Sequence, residues 1–358
     1  MNSKPAIFVA GDERIFFPAL VALDSIANQH PGVFDSFICF DGSKLTEDMT
    51  AALEHHKINF IDAQDLKVSD KIASLPKMKE GRWPIEILLN WALPEYLISR
   101  GYNYSIKVDY DILCLKPYNL DEVFPTTSTA RGLLFNINLE KEGIAAEYID
   151  LAIKNNLLDI KTKAYMNAGF VAFNNKKCQE NQFFERLLSS YSFIMDNCPK
   201  AKLIEQIAIY FALSVCEGGA EELDPTYNHR VRWGVLVDKD LIPTARNIHY
   251  ITNIKPWMPF DRGAIRNFVN DRQGVIFAYR SIWLEQASKS PWFSNFCDQG
   301  EPSQEKALGI TILITHNYNQ RLLELENQLN DERKINQLLH EKIQKIHDLS
   351  KPMNLDSQ

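Results

Sequence analysis

"YSIKVDYDILCL", residues 104–115, is the strongest local signal in the sequence. It starts as an apolar run typical of a buried strand and continues into two aspartates, Asp109 and Asp111, one residue apart. Two carboxylates on the turn that leaves a buried strand offer hard oxygen ligands to Mg²⁺ or Mn²⁺. Alternatively, both are solvated side chains in a turn, and the surrounding sequence must decide between these interpretations.

Frequency alone does not separate them. With 23 Asp among 358 residues, about 1.5 Asp-x-Asp triplets are expected by chance, and the chain has two. The second, Asp238 and Asp240 in "GVLVDKDLIP", encloses a lysine that would repel a cation. We predict a surface turn there, which makes it an internal control for the first pair.

Composition limits the class of protein. A chain of 358 residues with 45% hydrophobic content fits one large domain, or one domain with an appendage. The net charge of −7 argues against sequence-independent binding of nucleic acid, which requires a basic face, although a local basic patch is compatible with it.

The cysteine pattern and the hydropathy of the chain indicate the cellular compartment of the protein. Six cysteines without a Cys-x-x-Cys pair, mostly beside apolar residues, suit buried free thiols in a reducing compartment. The start, "MNSKPAIFVAGDE", lacks the layout of a signal peptide, and no run of about 18 uncharged apolar residues exists. We therefore expect a cytoplasmic protein without a transmembrane helix, with peripheral contact at the inner membrane face left open.

Strand-like and helix-like segments alternate before residue 115. The strand-like runs are "AIFVA", "SFICF", "INFID" and "YSIKV", and the helix-like stretches between them include "FFPALVALDSIANQ" and "TEDMTAALEHHK". This alternation predicts a parallel, doubly wound sheet that binds ligands beyond the carboxyl ends of its strands, where Asp12, Asp41 and Asp109 fall. Later segments, such as "NAGFVAFN", make the pattern mixed, so we predict an α/β domain over residues 1–300 with a mixed central sheet.

The C-terminal region has a different character. We predict a connector over residues 301–316, a helical tail over 317–348 and a disordered end over 349–358. In the tail, apolar residues recur at spacings of three and four residues and form the seam of a helix; they are Leu322, Leu325, Leu329, Leu339, Ile343 and Ile346. The pattern slips once, where Glu332 and Asn336 stand at seam positions. We favour a self-associating coiled coil, with a dimer as first guess, over an amphipathic helix folded back on the domain.

Five motifs, in one order, resemble those of glycosyltransferase family 8. These are retaining enzymes of the GT-A fold, a Rossmann-like nucleotide-diphospho-sugar transferase fold, and they include bacterial lipopolysaccharide galactosyl- and glucosyltransferases and glycogenin. The resemblance covers about residues 5–260. The motifs are "IFVAGDERIFFPALVALDSIANQHP", "YSIKVDYDILCLKP", "YMNAGFVAFN", "LIEQIAIYF" and "NIHYITNIKPW".

The resemblance implies a role for each matching residue. Asp109, Asp111 and His249 would hold a metal, and Glu205 and Gln206 would lie beside the anomeric carbon. The nucleotide sugar would be bound by Ala10, Gly11, Asp12, Tyr110, Asn167, Ala168, Gly169 and Lys255. An imidazole with two carboxylates suits Mn²⁺ better than Mg²⁺, and an ammonium beside the diphosphate would stabilise the charge of the leaving group.

Two departures from the family concern the donor pocket. Many members carry an Arg on the helix before the metal strand, but here "RWPIEILLNWALPEYL" offers Asn90 or Trp91, and Arg82 lies nearly three turns earlier. Asp is common where Glu205 stands. The identity of the donor sugar is therefore open.

The predicted function is a metal-dependent, retaining glycosyltransferase. It would move a hexose or N-acetylhexosamine from a UDP-sugar to a glycan or glycolipid acceptor in bacterial surface polysaccharide synthesis. The alternative is an idle nucleotide-sugar-binding scaffold that organises a polysaccharide assembly complex through its tail. A nucleotidylyltransferase is disfavoured, because "AGDERIFF" does not supply a Gly-rich phosphate loop after the first strand.

Overall fold

The computed structural model describes residues 4–75, 85–232, 235–236, 244–251, 255–257, 274–296, 323 and 325–344. The chain divides into two compact units, one of residues 1–259 with 283–299 and one of residues 260–282 with 300–358. The strands are Ala6–Ala10 (β1), Asp35–Phe40 (β2), Asn59–Asp62 (β3), Tyr104–Val108 (β4), Ile112–Cys114 (β5), Ala130–Leu134 (β6), Met166–Asn174 (β7), Ala220–Glu222 (β8), His229–Arg232 (β9), Val235–Leu236 (β10) and Asn247–His249 (β11). The helices are Phe16–Gln29 (α1), Glu47–His56 (α2), Ser69–Ala73 (α3), Leu89–Ser99 (α4), Leu120–Val123 (α5), Ala146–Lys154 (α6), Asn175–Glu180 (α7), Phe183–Asn197 (α8), Ile204–Ser214 (α9), Gly274–Ala287 (α10) and Phe293–Phe296 (α11).

The first half of the main sheet is parallel. Strands β3, β2, β1 and β4 are adjacent in that order and run in one direction. All five residues of β1 are buried, as expected where helices cover both faces of a parallel sheet. The helix α2 begins where the Thr46 side chain accepts a hydrogen bond from the Met49 N–H at 3.2 Å, and it ends at Lys57 in the left-handed conformation. The predicted alternation of strands and helices is confirmed here.

The second half of the sheet changes direction. Strand β7 runs antiparallel to β4, β6 runs antiparallel to β7, and β8 closes the order β3-β2-β1-β4-β7-β6-β8 within the described residues. The predicted mixed sheet is therefore confirmed. Because β7 lies beside β4, its first residues reach the turn that carries Asp109 and Asp111.

A small second sheet has the order β10-β9-β11-β5. Strand β11 runs antiparallel to β5, with His249 opposite Ile112. Since Ile112 directly follows the Asp-x-Asp turn, this pairing brings a distant part of the chain to the two carboxylates.

Of the six cysteines, five are described, and these are free and buried; they are Cys39, Cys114, Cys178, Cys198 and Cys216. Cys297 lies outside the described residues. In the part of the chain that the structure describes, no helix is both long and apolar enough to cross a membrane.

The C-terminal region is helical at residue 323 and over residues 325–344, and its described side chains are exposed. The predicted connector over residues 301–316 and the predicted end over residues 349–358 lie outside the described residues. Pairing of the tail with a second copy stays a prediction.

Candidate active site

The Asp-x-Asp turn between β4 and β5 is fixed by backbone hydrogen bonds from both sides. The Asp109 N–H donates to the Gly169 carbonyl at 2.7 Å, which ties the turn to β7. The Asp111 carbonyl accepts from the Tyr250 N–H at 2.9 Å, just after β11. The Asp111 side chain is buried and that of Asp109 is partly exposed, so the turn directs the two carboxylates into one partly enclosed place.

His249 completes a group of three possible metal ligands. Its Nε2 lies 3.4 Å from Asp109 Oδ2 and 3.1 Å from Asp111 Oδ1. Neighbouring ligand atoms on one octahedral divalent ion, each about 2.1 Å from it, lie roughly 3 Å apart. Asp111 Oδ1 is also buried without a hydrogen bond directed at it. The donor set therefore fits a divalent cation. Among the described residues, these three form the group that could hold a metal ion.

Asn228 orients the His249 ring through a chain of hydrogen bonds. The Gly169 N–H donates to Asn167 Oδ1 at 3.0 Å, and Asn228 Nδ2 donates to the same oxygen at 2.8 Å. Asn228 Oδ1 is therefore left to accept from His249 Nδ1, 2.9 Å away. Nδ1 therefore carries a proton. Nε2, the nitrogen that faces the carboxylates, is the one placed to bind a metal, as is usual for a metal-ligating histidine.

Gly169 makes room for that ring. A Cβ atom at this position would lie 2.2 Å from His249 Cε1 and 2.4 Å from Nδ1, which is far closer than carbon atoms approach. The predicted contact of Asn167, Ala168 and Gly169 with the donor sugar stays a prediction. In the structure, Gly169 lies against the His249 ring, and Asn167 is linked to that ring through Asn228.

Lys255 pairs with the second carboxylate. Its Nζ donates to Asp111 Oδ2 at 2.5 Å and to the Tyr250 carbonyl at 2.8 Å. Burial alone would raise the pKa of Asp111, but His249 and Lys255 hold that pKa below its ordinary value. The family resemblance implies that this lysine lies near a diphosphate. In the structure, its ammonium pairs with a predicted metal ligand.

Lys107, which the sequence marks only as part of a strand, contacts the first carboxylate. Its Nζ donates to Asp109 Oδ1 and to the Ala168 carbonyl. Burial would raise the pKa of Asp109, but the charges of Lys107 and His249 outweigh it and lower that pKa. For His249, burial lowers the pKa, while Asp111 and Asp109 together raise it above its ordinary value.

Glu205 and Gln206 lie in the first turn of α9, after Leu203 in the left-handed conformation. Glu205 Oε1 accepts a hydrogen bond from Trp91 Nε1 at 2.7 Å. Burial raises the pKa of Glu205 to about 7 against the opposing charge of Lys107. Gln206 Oε1 accepts from the Tyr165 hydroxyl at 3.1 Å. Near neutral pH, Glu205 therefore exists as a mixture of its neutral and charged forms.

The helix before the metal strand, α4, carries Asn90 and Trp91, the two residues nearest the position of the family's Arg. The structure shows what each of them contacts. Asn90 Nδ2 donates to the Ala10 carbonyl at 2.7 Å and its Oδ1 accepts from the Ala10 N–H at 3.0 Å. Asn90 thus fixes the end of β1, whereas Trp91 points to Glu205. Arg82 lies outside the described residues.

The loop after β1 carries the remaining predicted nucleotide contacts. The Gly11 N–H donates to the Cys39 carbonyl at 3.1 Å, and Asp12 Oδ2 pairs with Arg14 Nη2 at 2.6 Å. Burial raises the pKa of Tyr110, and the charges of Asp111, Asp109 and Asp12 raise it further.

The loop and the Asp-x-Asp turn follow the carboxyl ends of adjacent parallel strands, β1 and β4. The Tyr110 ring is 5.7 Å from that of Trp257. The control pair, Asp238 and Asp240, lies outside the described residues.

The sequence model of glycosyl transferase family 8 matches residues 6–259. The chain belongs to glycosyltransferase family 8. It is therefore a transferase, and enzymes of this family with the GT-A fold use a nucleotide sugar and a divalent metal. A search of curated proteins gave no match.

Two solved structures support the GT-A fold of this family 8 enzyme. The galactosyltransferase LgtC, in complex with donor and acceptor sugar analogues, is 18% identical over 80% of this chain and 96% of its own, with a TM-score of 0.52. The bifunctional glycosyltransferase WbbM, in its apo form, is 13% identical over 83% of this chain and 51% of its own, with a TM-score of 0.53. The predicted fold class is confirmed.

Proposed function

We propose that this family 8 enzyme is a retaining glycosyltransferase that transfers a hexose or N-acetylhexosamine from a UDP-sugar and depends on a divalent metal. The observation that carries the proposal is the convergence of Asp109, Asp111 and His249, with ligand atoms within 4.8 Å of one another, at the carboxyl end of a parallel strand. Ligands bind at such ends in open α/β sheets.

Asp109, Asp111 and His249 would hold the metal, with Mn²⁺ favoured over Mg²⁺ because one ligand is an imidazole. When bound, the metal supplies positive charge that neutralises a diphosphate. Lys255 contributes a second, fixed positive charge beside Asp111. Ala10, Gly11, Asp12 and Tyr110, at or just after the carboxyl ends of the adjacent parallel strands β1 and β4, are proposed to bind the nucleotide.

Retention of configuration requires either a double displacement through an enzyme nucleophile or attack on the same face assisted by the leaving phosphate. Gln206 is a poor nucleophile. Glu205 accepts the Trp91 N–H and has a pKa of about 7, so its carboxyl is held and partly neutral near pH 7. Both features support same-face attack, with Glu205 shaping the pocket beside the anomeric carbon.

The acceptor is proposed to be a glycan or glycolipid of the bacterial surface, made in the cytoplasm at the inner face of the membrane. The five described cysteines, which are free and buried, support a reducing compartment.

The tail is proposed to pair with that of a second copy as a coiled coil. Its apolar seam residues, including Leu325, Leu329, Leu339 and Ile343, are 46–62% exposed. In proteins most of the stability of a helix comes from packing of its apolar face and not from helix propensity, which favours a partner for this exposed seam.

The test is the release of UDP from a panel of UDP-sugars with Mn²⁺, for the natural chain and the Asp109→Asn/Asp111→Asn variant. We expect one sugar to be hydrolysed by the natural chain and not by the variant, which identifies the donor. If UDP raises the melting temperature while no sugar is turned over, with or without glycan acceptors, the idle scaffold replaces this proposal.

A further inference from the structure

Lys107 is a fully buried cation in the middle of the main sheet. Its side chain is 1% exposed, although a charge transferred out of water is costly unless it is paired and hydrogen-bonded. Its Nζ donates to Asp109 Oδ1 and, at 2.6 Å, to the Ala168 carbonyl. The same nitrogen lies 5.5 Å from the centre of the Trp91 ring.

These contacts account for the whole ammonium group. An ammonium has three N–H donors, and two of them are taken by the carboxylate and the carbonyl. The remaining side of the group faces the Trp91 ring, at a distance typical of a cation–π interaction. Lys107 is thus directed at protein atoms, and any influence on the reaction must pass through them.

The protein atoms concerned belong to the proposed site. Asp109 gives one oxygen, Oδ1, to Lys107, while the other, Oδ2, lies 3.4 Å from His249 Nε2. Ala168 directly precedes Gly169, whose backbone lies against the His249 ring. One ammonium therefore fixes the rotation of the Asp109 carboxylate and the backbone that supports His249.

We propose that Lys107 is a positioning residue of the metal site, which holds Asp109 through Oδ1 so that Oδ2 faces the ion together with His249 and Asp111. The inference rests on the proposed metal-dependent function. Without the ammonium, Asp109 Oδ1 loses its partner, and the contact of Oδ2 with His249 alone is left to fix the rotation of the carboxylate.

Trp91 extends this arrangement to Glu205. The ring face lies against Lys107, and the ring N–H donates to the Glu205 carboxyl. The chain of contacts therefore joins a predicted metal ligand to a predicted catalytic residue, through two side chains that neither prediction included.

The experiment compares the full-length natural chain with Lys107→Met and Lys107→Gln. The dissociation constant of Mn²⁺ is measured at saturating UDP from the free Mn²⁺ signal in electron paramagnetic resonance. UDP affinity in EDTA and the melting temperature are measured in parallel. We expect Mn²⁺ to bind about 10- to 100-fold more weakly to Lys107→Met, as is usual when a partner of a metal ligand is lost. UDP affinity in EDTA should change less than about twofold.

Asn175→Ala is the matched control for loss of stability. Asn175 is buried at the other end of β4, where it accepts from the Ser105 hydroxyl at 2.6 Å and donates to the Tyr102 carbonyl at 2.8 Å. We expect this variant to melt at a lower temperature and to bind Mn²⁺ as the natural chain does. A fall in Mn²⁺ affinity equal to that of Lys107→Met would overturn the inference, because general loosening of the sheet would explain both.

Failure of the inference differs from failure of the proposed function. If the natural chain binds Mn²⁺ with UDP and Lys107→Met binds it equally well, the positioning role is wrong and the metal site stands. If the natural chain binds no Mn²⁺, both are wrong. Lys107→Gln removes the charge and ends one atom short of the Nζ position, and it decides the matter if Lys107→Met does not fold: affinity equal to that of the natural chain overturns the inference, and weaker binding supports it.

Discussion

Replacing Glu205 by Gln should change the stability of the protein in a way that depends on pH. Burial raises the pKa of this carboxyl from 4.5 to about 7, so the folded state holds its proton more tightly than the unfolded state does. For a raised carboxyl pKa, stability is lost as the pH rises from the unfolded value toward the folded value. The window is therefore about pH 4.5 to 7.

The size of the effect follows from the shift. A difference of about 2.5 pKa units, at about 1.4 kcal/mol for each unit, corresponds to roughly 3 kcal/mol above pH 7. Gln carries no charge and its Oε1 can still accept the Trp91 N–H, so Glu205→Gln should avoid this loss. We expect the variant to be more stable than the natural chain by on the order of 3 kcal/mol at pH 8, or roughly 6 °C in melting temperature. Near pH 4.5 the two should be similar.

The assay is urea unfolding of both proteins in EDTA at pH 5, 6, 7 and 8. The exposed Glu185, replaced by Gln, is the control, and its difference from the natural chain should stay within about 0.5 kcal/mol at each pH. A difference between Glu205→Gln and the natural chain that does not change with pH would show that the pKa of Glu205 is not raised in the folded state. Turnover by the same variant within a few-fold of the natural chain would exclude a covalent route through Glu205.

Three further outcomes are expected. Asn228→Ala should weaken Mn²⁺ binding at saturating UDP by about 10- to 100-fold in calorimetric titration, because His249 loses the partner that fixes its ring; unchanged affinity would show that Asn228 only supports the fold. Gly169→Ala should reduce turnover of the donor sugar by about 100-fold or more, since a Cβ atom would lie 2.2 Å from the His249 ring and a displacement of about 1 Å is enough for such a loss; turnover near that of the natural chain would place His249 outside the site. Removal of residues 317–358 should convert a dimer into a monomer in light scattering while turnover stays within about twofold, and an unchanged mass would contradict pairing through the tail.

The segments with strong local patterns could be predicted from the sequence. Strands β1 and β4 and helix α1 have the predicted bounds, because continuous apolar runs and helical spacing act over a few residues. Asp109, Asp111 and His249 were predicted from short motifs, and the structure brings them together through the pairing of β11 with β5.

The residues that support the site were not predicted, because their roles depend on contacts between distant segments. Lys107 looks like an ordinary polar residue of a strand, and only the packing of α4 and β7 around β4 makes it a buried cation. Asn228 stands in "TYNHR", which has no pattern that points to His249. Trp91 was considered in place of an Arg, but its bond to Glu205 joins two helices that no local signal connects.

We propose that sugar transfer depends on the metal site formed by the first Asp-x-Asp pair and His249. The most direct measurement is UDP release from the donor sugar after removal of metal with EDTA and again after addition of Mn²⁺, for the natural chain, His249→Ala and the control Asp238→Asn/Asp240→Asn. We expect Mn²⁺ to restore turnover in the natural chain and in the control, and not in His249→Ala. Turnover that persists in EDTA, or that Mn²⁺ restores equally in His249→Ala, would contradict this proposal.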